Sequence, residues 1–563
     1  VYEGEQFTLV SGAPEEITRR AAVRLDQIYA AFGRYFPPRY TPARPTRIEL
    51  SGDLEQYKTL LKSTGTTLLN PAVFDPTANR IVCGTDMQRL GDDLQRTRLQ
   101  HLQQLAAVEK YEAGLKELYK GNKPELDRFL LTARKEREKI LAAEKENDRT
   151  FDQATRRLFS LLYHEAFHSY VMNYVYPART PAEARNRKGV GELPLWLNEG
   201  FASYYTILYE EQKLGADAMK YALWKEAQQV FQANDTRPIV WRDYGDPMQQ
   251  FDSRAYPKGA WVLHMLRSQL GADLYRKCIR TYLERHRSSI VRTEDLQDVI
   301  EEVSGLSFDQ FFDQWLFHGG VPELKIDYAW DAASKQARIT VRQTQKLSEQ
   351  VRLFRVPLPV GFAIPGQKEL LRVRADVSKE VEDFYFPLPA QPELVRIDPD
   401  YTVLAKVAFT PPGPMLDKQL QADIIGRLLA ISTLDAKHID KLGKALREDA
   451  FYAIRAEAAK ALAKIAESDA RAALIAGSSN QPDAHAQGQH GSNRRCLHQR
   501  IELGSPGVPR RAAGCNWQAL VSPISAVEAV SLWLSQPHPV QPQVGARMPA
   551  QRGTDVANRS ARP

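Results

Sequence analysis

At residue 321 the hydrophobic period of this chain switches. Before it, over 151–320, apolar residues recur mostly at helical spacing. After it, Leu324, Ile326, Tyr328 and Trp330 alternate with their neighbours, and so do Ala337, Ile339 and Val341. A period of two marks a strand with one buried face. "RLFRVPLPVGFAI", "DFYFPL" and "ELVRID" follow as short strands between turns, which predicts a β-sandwich over 321–411. Two such patterns in succession require an α+β multidomain protein. The 563 residues agree, being too many for one hydrophobic core.

The other segments read as follows. Residues 1–90 suggest an α/β unit, with strands at "FTLVSG", "RIEL" and "NRIVCG". A helix between the first two sets Ala22, Leu25, Ile28 and Tyr29 on one face. Residues 91–150 are polar and charged, broken only at "GNKP". Leu94, Leu102, Leu105, Val108 and Leu115 approximate a seam before the break, and Leu126, Leu130, Ala133, Ile140 and Leu141 one after it. This predicts an inserted helical hairpin, either a solvated spacer or an arm that docks a protein partner. Residues 416–476 return to helix, and "DAFYAIRAEAAKALAKI" resembles the second helix of a HEAT repeat, a second place for a protein partner. Residues 478–563 lack Phe, Tyr and Lys and abound in Arg, Gln, Pro, Gly and Ser. Disorder is one reading of that tail, and out-of-frame translation is the other.

The net charge of +7 does not imply nucleic acid. The tail holds nine Arg and four acids and so supplies +5, leaving +2 for the body. No basic stripe with interleaved aromatics appears there. No apolar run approaches the roughly 18 residues of a membrane span. Cys83, Cys278, Cys496 and Cys515 form no Cys-x-x-Cys pair, so they indicate neither a disulfide framework nor a compartment. The chain begins at Val1 without a signal peptide, which leaves targeting open.

The chemistry concentrates in "LLYHEAFHSY", residues 161–170. On a helix His164 and His168 share a face and can reach one ion. Zinc takes histidine nitrogen, and a catalytic zinc keeps three protein ligands plus water. Glu165, about 100° round the helix, can take that water's proton. Such a short motif arises by chance in roughly one chain in a hundred of this length and histidine content, so a polar helical turn stays open. "LPLWLNEGFASYYTILYEE" offers a third ligand in Glu199, set among apolar residues. A buried carboxylate wants a cation, either zinc or an arginine partner. Asn198 either orients Glu199 or solvates the helix start. His264, His318 and Cys83 read as structural residues.

"HEAFH" followed by "WLNEGFASYY" resembles the gluzincin metallopeptidases of the peptidase MA-like superfamily, above all the aminopeptidase N-like family. That resemblance makes His164, His168 and Glu199 zinc ligands and Glu165 the general base. "AYPKGAWVLHML" is similar to the family's Tyr-x-Lys-Gly segment, whose tyrosine, here Tyr256, hydrogen-bonds the oxyanion. "FFDQWLFHGGVPELKIDYAW" resembles the passage from catalytic domain to β-sandwich, and "ELVRIDPDYTVLAK" the end of that sandwich. The likeness spans about 155–475 and implies a thermolysin-like catalytic domain, a β-sandwich and HEAT-like helices. The 30-residue spacer between His168 and Glu199 is longer than in that family. The family's Gly-x-Met-Glu-Asn motif, which holds a substrate amine, has only "GTDMQ" at 84–88 as its counterpart, without the glutamate. The N-terminal third resembles poorly characterised bacterial peptidase MA-like proteins, which leans toward a secreted or periplasmic setting.

The implied function is a zinc metallopeptidase acting on a peptide or protein substrate, endopeptidase rather than aminopeptidase. The loop before Glu199 supports this, because Arg179, Arg185, Arg187 and Lys188 outnumber Glu183 and Glu192 and would repel an ammonium. An extended substrate could add to the strand near "NRIVCG". Two alternatives remain: a catalytically silent peptide-binding scaffold, and a zinc hydrolase of a non-peptide bond.

Overall fold

The structure is a computed structural model that describes residues 1–37, 45–64, 71–84, 87–171, 175–177, 194–243, 247–287 and 289–479. The charged loop residues 179–192, Asp86, and the tail with Cys496 and Cys515 lie outside the described residues.

The chain opens with β1 (Tyr2–Glu3), β2 (Phe7–Ser11), α1 (Glu15–Tyr35), β3 (Thr46–Ser51), α2 (Leu54–Lys62), β4 (Ala72–Asp75) and β5 (Arg80–Gly84). The strands form one sheet in the order β1-β2-β3-β5-β4. β2, β3 and β5 run parallel, and β4 returns antiparallel at the edge. Period-two alternation sends Phe7, Leu9, Ile48, Leu50, Ile81 and Cys83 into the main core. Val82 points the other way, onto Tyr57 and Leu61 of α2. α1 buries Ala22, Leu25, Ile28 and Tyr29, the face its sequence predicts. The strand at "NRIVCG" is interior, flanked by β3 and β4, so the open edge belongs to β4. Sequence periodicity identifies a strand but not its place in the sheet order.

Next comes the hairpin of α3 (Met87–Leu118) and α4 (Lys123–Val171). α4 runs unbroken for 49 residues, about 74 Å at 1.5 Å per residue, from the hairpin tip to the two histidines. The seam contains Leu115, Ala133 and Ile140, all buried. Leu102 and Leu141 lie outside it, exposed at 55% and 52%. The packed positions advance by alternating threes and fours, and this puts His101 rather than Leu102 against the partner helix. There His101 Nδ1 meets Glu144 at 2.5 Å, Arg98 Nε donates to Glu144 at 2.8 Å, and Asn147 donates to the Leu94 carbonyl at 3.0 Å. Arg137 reaches Glu112 at 3.3 Å further along. Polar layers of this kind fix register at some cost in stability.

Then follow β6 (Val175–Pro177), α5 (Leu195–Leu214), α6 (Ala216–Ala233), one π-helical turn (Arg254–Lys258), α7 (Gly259–Leu270), α8 (Ala272–Arg285), β7 (Ser289–Val291), α9 (Thr293–Ser304) and α10 (Asp309–Phe312). β8 (Glu323–Asp331), β9 (Gln336–Gln343), β10 (Val356–Ala363), β11 (Leu371–Val377), β12 (Val381–Pro387), β13 (Leu394–Ile397) and β14 (Lys406–Phe409) form two sheets, β12-β9-β8-β14 and β11-β10-β13. Leu324, Ile326, Ala337, Ile339 and Val341 are buried, as the alternation predicts. Five helices, α11 to α15, run from Gly413 to Ser479.

Specific contacts tie these parts together. His264 on α7 bonds the Tyr401 carbonyl at 3.0 Å, beside the sandwich. Arg396 on β13 makes a two-pronged bridge to Asp423, the N-cap of α12 (Ile424–Thr433), at 2.7 and 2.9 Å. Tyr221 on α6 reaches Glu457 on α14 (Tyr452–Lys464) at 3.2 Å. Among the described residues no helix is long and apolar enough to cross a membrane.

Candidate metal centre

Three elements meet here, the last turns of α4, the first turns of α5 and the π turn before α7. α4 brings in His164, Glu165 and His168, each 6–7% exposed. Helical spacing puts the two imidazoles on one face, with ring centroids 4.7 Å apart. α5 brings Glu199, exposed only 6%. His164 Nε2 lies 3.0 Å, and His168 Nε2 3.2 Å, from the same oxygen, Glu199 Oε2. Ligand atoms of the three residues all lie within 4.8 Å of one another, the one such group of potential metal ligands among the described residues. The other Glu199 oxygen accepts a hydrogen bond from Asn198 Nδ2 at 3.0 Å, so Asn198 orients the carboxylate.

The donor set fits zinc. Two imidazole nitrogens and one carboxylate oxygen converge on one point, the ligand types of a three-ligand catalytic site. Among the described residues Glu199 has no arginine partner of the kind the sequence left open. Its partners among the described residues are His164, His168, Asn198 and Tyr256. A carboxylate this buried is costly without a cation.

Glu165 sits beside the trio, and its carboxylate accepts the backbone N–H of Phe74 on β4. Gly84 N–H donates to the Pro71 carbonyl at 3.0 Å, and ladder alternation then turns the main chain of Ala72 and Phe74 away from β5. The free edge of β4 therefore faces the site. Burial raises the pKa of Glu165 against the pull of both histidines, and the charge of Glu199 adds to the rise. For Glu199 burial also works upward, but His168 and His164 outweigh it and hold the carboxylate below its usual range. Burial, with Glu199 and Glu165 nearby, keeps Tyr256 neutral by raising its pKa well above 10. The Tyr256 ring lies 6.0 Å from that of His164 and nearly parallel to it, at 18°.

The remaining candidates are structural. His264 is held between the Tyr204 hydroxyl at 3.2 Å and the Tyr401 carbonyl at 3.0 Å. His318 bonds the Asp313 carbonyl at 2.9 Å and leads into a turn with Gly320 at φ 74°. Cys83 is fully buried, and burial pushes its thiol up.

Sequence reasoning missed the device that joins the two halves of the site. Gly200 follows Glu199, Gly259 begins α7, and the two backbones touch. A Cβ on Gly200 would lie 2.9 Å from the carbonyl carbon of Gly259, and one on Gly259 would lie 3.1 Å from the Cα of Gly200. Only glycine allows so close an approach, which brings Tyr256 within reach of Glu199. The "EG" and "KG" pairs carried the signal. The use of Phe74 had no sequence signal, because any residue supplies an N–H.

Comparison with known proteins agrees with the geometry. Residues 133–315 match the Peptidase family M1 domain. Aminopeptidase 2 of Candida albicans is 28% identical over 228 residues, which cover 38% of this chain and 24% of that protein. Aminopeptidase N of Streptomyces lividans is 30% identical over 159 residues, covering 26% and 18%. The crystal structure of Legionella pneumophila aminopeptidase A in complex with aspartic acid aligns with a TM-score of 0.53 at 13% identity, over 93% of this chain and 53% of that one. At that identity the likeness is one of fold. The chain thus spans about a quarter or less of these sequence relatives and about half of the solved structure. Over residues 133–315 the chain is thus similar to the Peptidase family M1 domain.

Proposed function

We propose that the chain is a zinc-dependent peptidase, with His164, His168 and Glu199 as metal ligands, Glu165 as general base and Tyr256 as hydrogen-bond donor to the oxyanion. The observation that carries this reading is the convergence of two imidazole nitrogens on one buried carboxylate oxygen, with a second carboxylate alongside. Zinc, when bound, would supply Lewis-acid polarisation of the scissile carbonyl and of a water. Glu165 accepts the proton of the attacking water and passes it to the leaving amine. Tyr256, neutral, donates its O–H to the oxygen that gains charge. The outward groups of β4 other than the Phe74 N–H, which Glu165 holds, pair with an extended peptide or protein substrate by strand addition.

In fold terms this is a thermolysin-like catalytic domain followed by a β-sandwich and HEAT-like helices. The relatives are named aminopeptidases. An aminopeptidase must neutralise a substrate ammonium, and the segment that would do so, 84–88, has no glutamate. We therefore propose internal cleavage, or indifference to a free amino terminus.

The test is a peptide-library digest with and without a chelator. The expected result is cleavage that a chelator abolishes and zinc restores. Absence of cleavage by the zinc-loaded protein, or cleavage untouched by chelation, contradicts the proposal.

A further inference from the structure

Tyr256 stands on a turn whose own main-chain bonds run from the Lys258 N–H to the Ser253 carbonyl and from the Gly259 N–H to the Arg254 carbonyl. Residues Arg254–Lys258 form a single π-helical turn with Pro257 inside it. Such turns are rare and concentrate at functional sites, and proline brings no N–H to the turn. A hydroxyl that must meet developing charge needs placement far better than 1 Å. The turn's own bonds leave the N–H groups of Ala255 and Tyr256 to Asp252, which precedes the turn.

The fixing groups surround Arg254, which is 2% exposed. Its Nε and Nη2 donate to Asp252 Oδ2 at 2.8 and 2.7 Å. Nη1 donates to the Pro238 carbonyl at 2.9 Å, and Nη2 also reaches the Gln249 carbonyl at 3.1 Å. The guanidinium carbon lies 5.1 Å from the centre of the Trp241 ring. Asp252 is held again by the Arg254 backbone N–H at 2.8 Å and by Arg237 at 3.2 Å. The carbonyl of this same Asp252 accepts the N–H of Tyr256 at 3.3 Å and that of Ala255 at 3.2 Å. A rigid planar fork thus grips a carboxylate, and the gripped residue holds the main chain of Tyr256.

We propose that Arg254, acting through Asp252, is the positioning residue for Tyr256. The inference rests on the peptidase reading above. A stability role alone accounts for it poorly. A buried ion pair gains little net stability over an apolar pair of similar volume, because desolvation cancels much of the attraction. What a bidentate pair adds is geometry. Lys258, also buried, lies in the field of Asp252 and Asp235. Asp252 therefore keeps a cation nearby when Arg254 changes, and replacing Arg254 by lysine alters geometry more than charge.

The experiment compares the parent with Arg254→Lys, Tyr256→Phe and the double variant. Arg254→Lys should keep its zinc, lower kcat about tenfold or more and change KM less than about twofold. In the Tyr256→Phe background the same change should cost less than about twofold, since the residue it positions has lost its hydroxyl. Undiminished kcat in Arg254→Lys, or full additivity in the double variant, overturns the inference. Should Arg254→Lys fail to fold, Asp252→Asn is read in the same way. A fluorotyrosine at 256, followed by fluorine NMR, needs no turnover. Its resonance should move or broaden in Arg254→Lys, and an unchanged resonance overturns the inference. A parent that cuts no peptide, with a resonance that still moves in Arg254→Lys, would refute the peptidase reading and leave the positioning intact.

Discussion

Gly200 and Gly259 are the residues on which the geometry of the site turns. Glycine inside a helix ordinarily costs about 1 kcal/mol relative to alanine, so Gly200→Ala should stabilise an isolated helix. Here the added Cβ would stand 2.9 Å from backbone that cannot rotate away. Overpacking of that kind costs about 1–3 kcal/mol, so the steric loss exceeds the helical gain. The expected outcome is a lower melting temperature for Gly200→Ala, with turnover reduced beyond what stability explains. A raised melting temperature would mean that the two backbones lie further apart than described. His164, Glu165, His168 and Glu199 were legible in the sequence because their side chains are chemically committed. The glycine contact was not, because it is made by atoms every residue has.

Among the elements, α7 couples the site to the sandwich through His264. Burial lowers its pKa from 6.5 to about 4, the Tyr401 carbonyl pulling upward and Arg267 adding to the fall. The neutral ring suits both partners, since Nε2–H donates to the Tyr401 carbonyl while Nδ1 accepts from Tyr204. A group whose folded pKa is depressed contributes stability that is complete above its unfolded value and is lost as pH falls toward the folded one. For His264 that window runs from 6.5 down to about 4, and the contribution is on the order of 3 kcal/mol. Melting temperature should therefore fall with pH across the window, and the fall should be smaller in His264→Gln. Parallel curves for parent and variant would show that His264 carries no such linkage. The strands of the sandwich were legible element by element, because Leu324, Ile326, Ala337, Ile339 and Val341 obey a period of two without drift. The hairpin was less so. A straight helix slips about 20° per heptad against a packed seam, and over 32 residues of α3 that slip decides between His101 and Leu102.

For the whole molecule, the N-terminal sheet supplies an open edge, the long helix and α5 supply the ligands, and the sandwich and last helices pack behind them. The order of strands in that sheet was illegible, because periodicity says nothing of neighbours. It is β4, not β5, that faces the site. This bears on the mode of cleavage. A peptide paired along the free edge of β4 passes the site as an extended strand, and internal bonds then come within reach. A peptide with a free amine and the same peptide acetylated should be cleaved at rates within about tenfold of each other, a gap of less than about 1.4 kcal/mol. Release of single residues from the free form alone would establish an aminopeptidase instead. The most direct test of the account as a whole sets the zinc content and peptide hydrolysis of the parent beside those of Glu165→Gln. The account predicts about one zinc per chain in both proteins, with hydrolysis reduced at least about 10²-fold in the variant, whose amide cannot accept the water's proton. Full hydrolysis by Glu165→Gln, or a parent that binds no zinc, would contradict it.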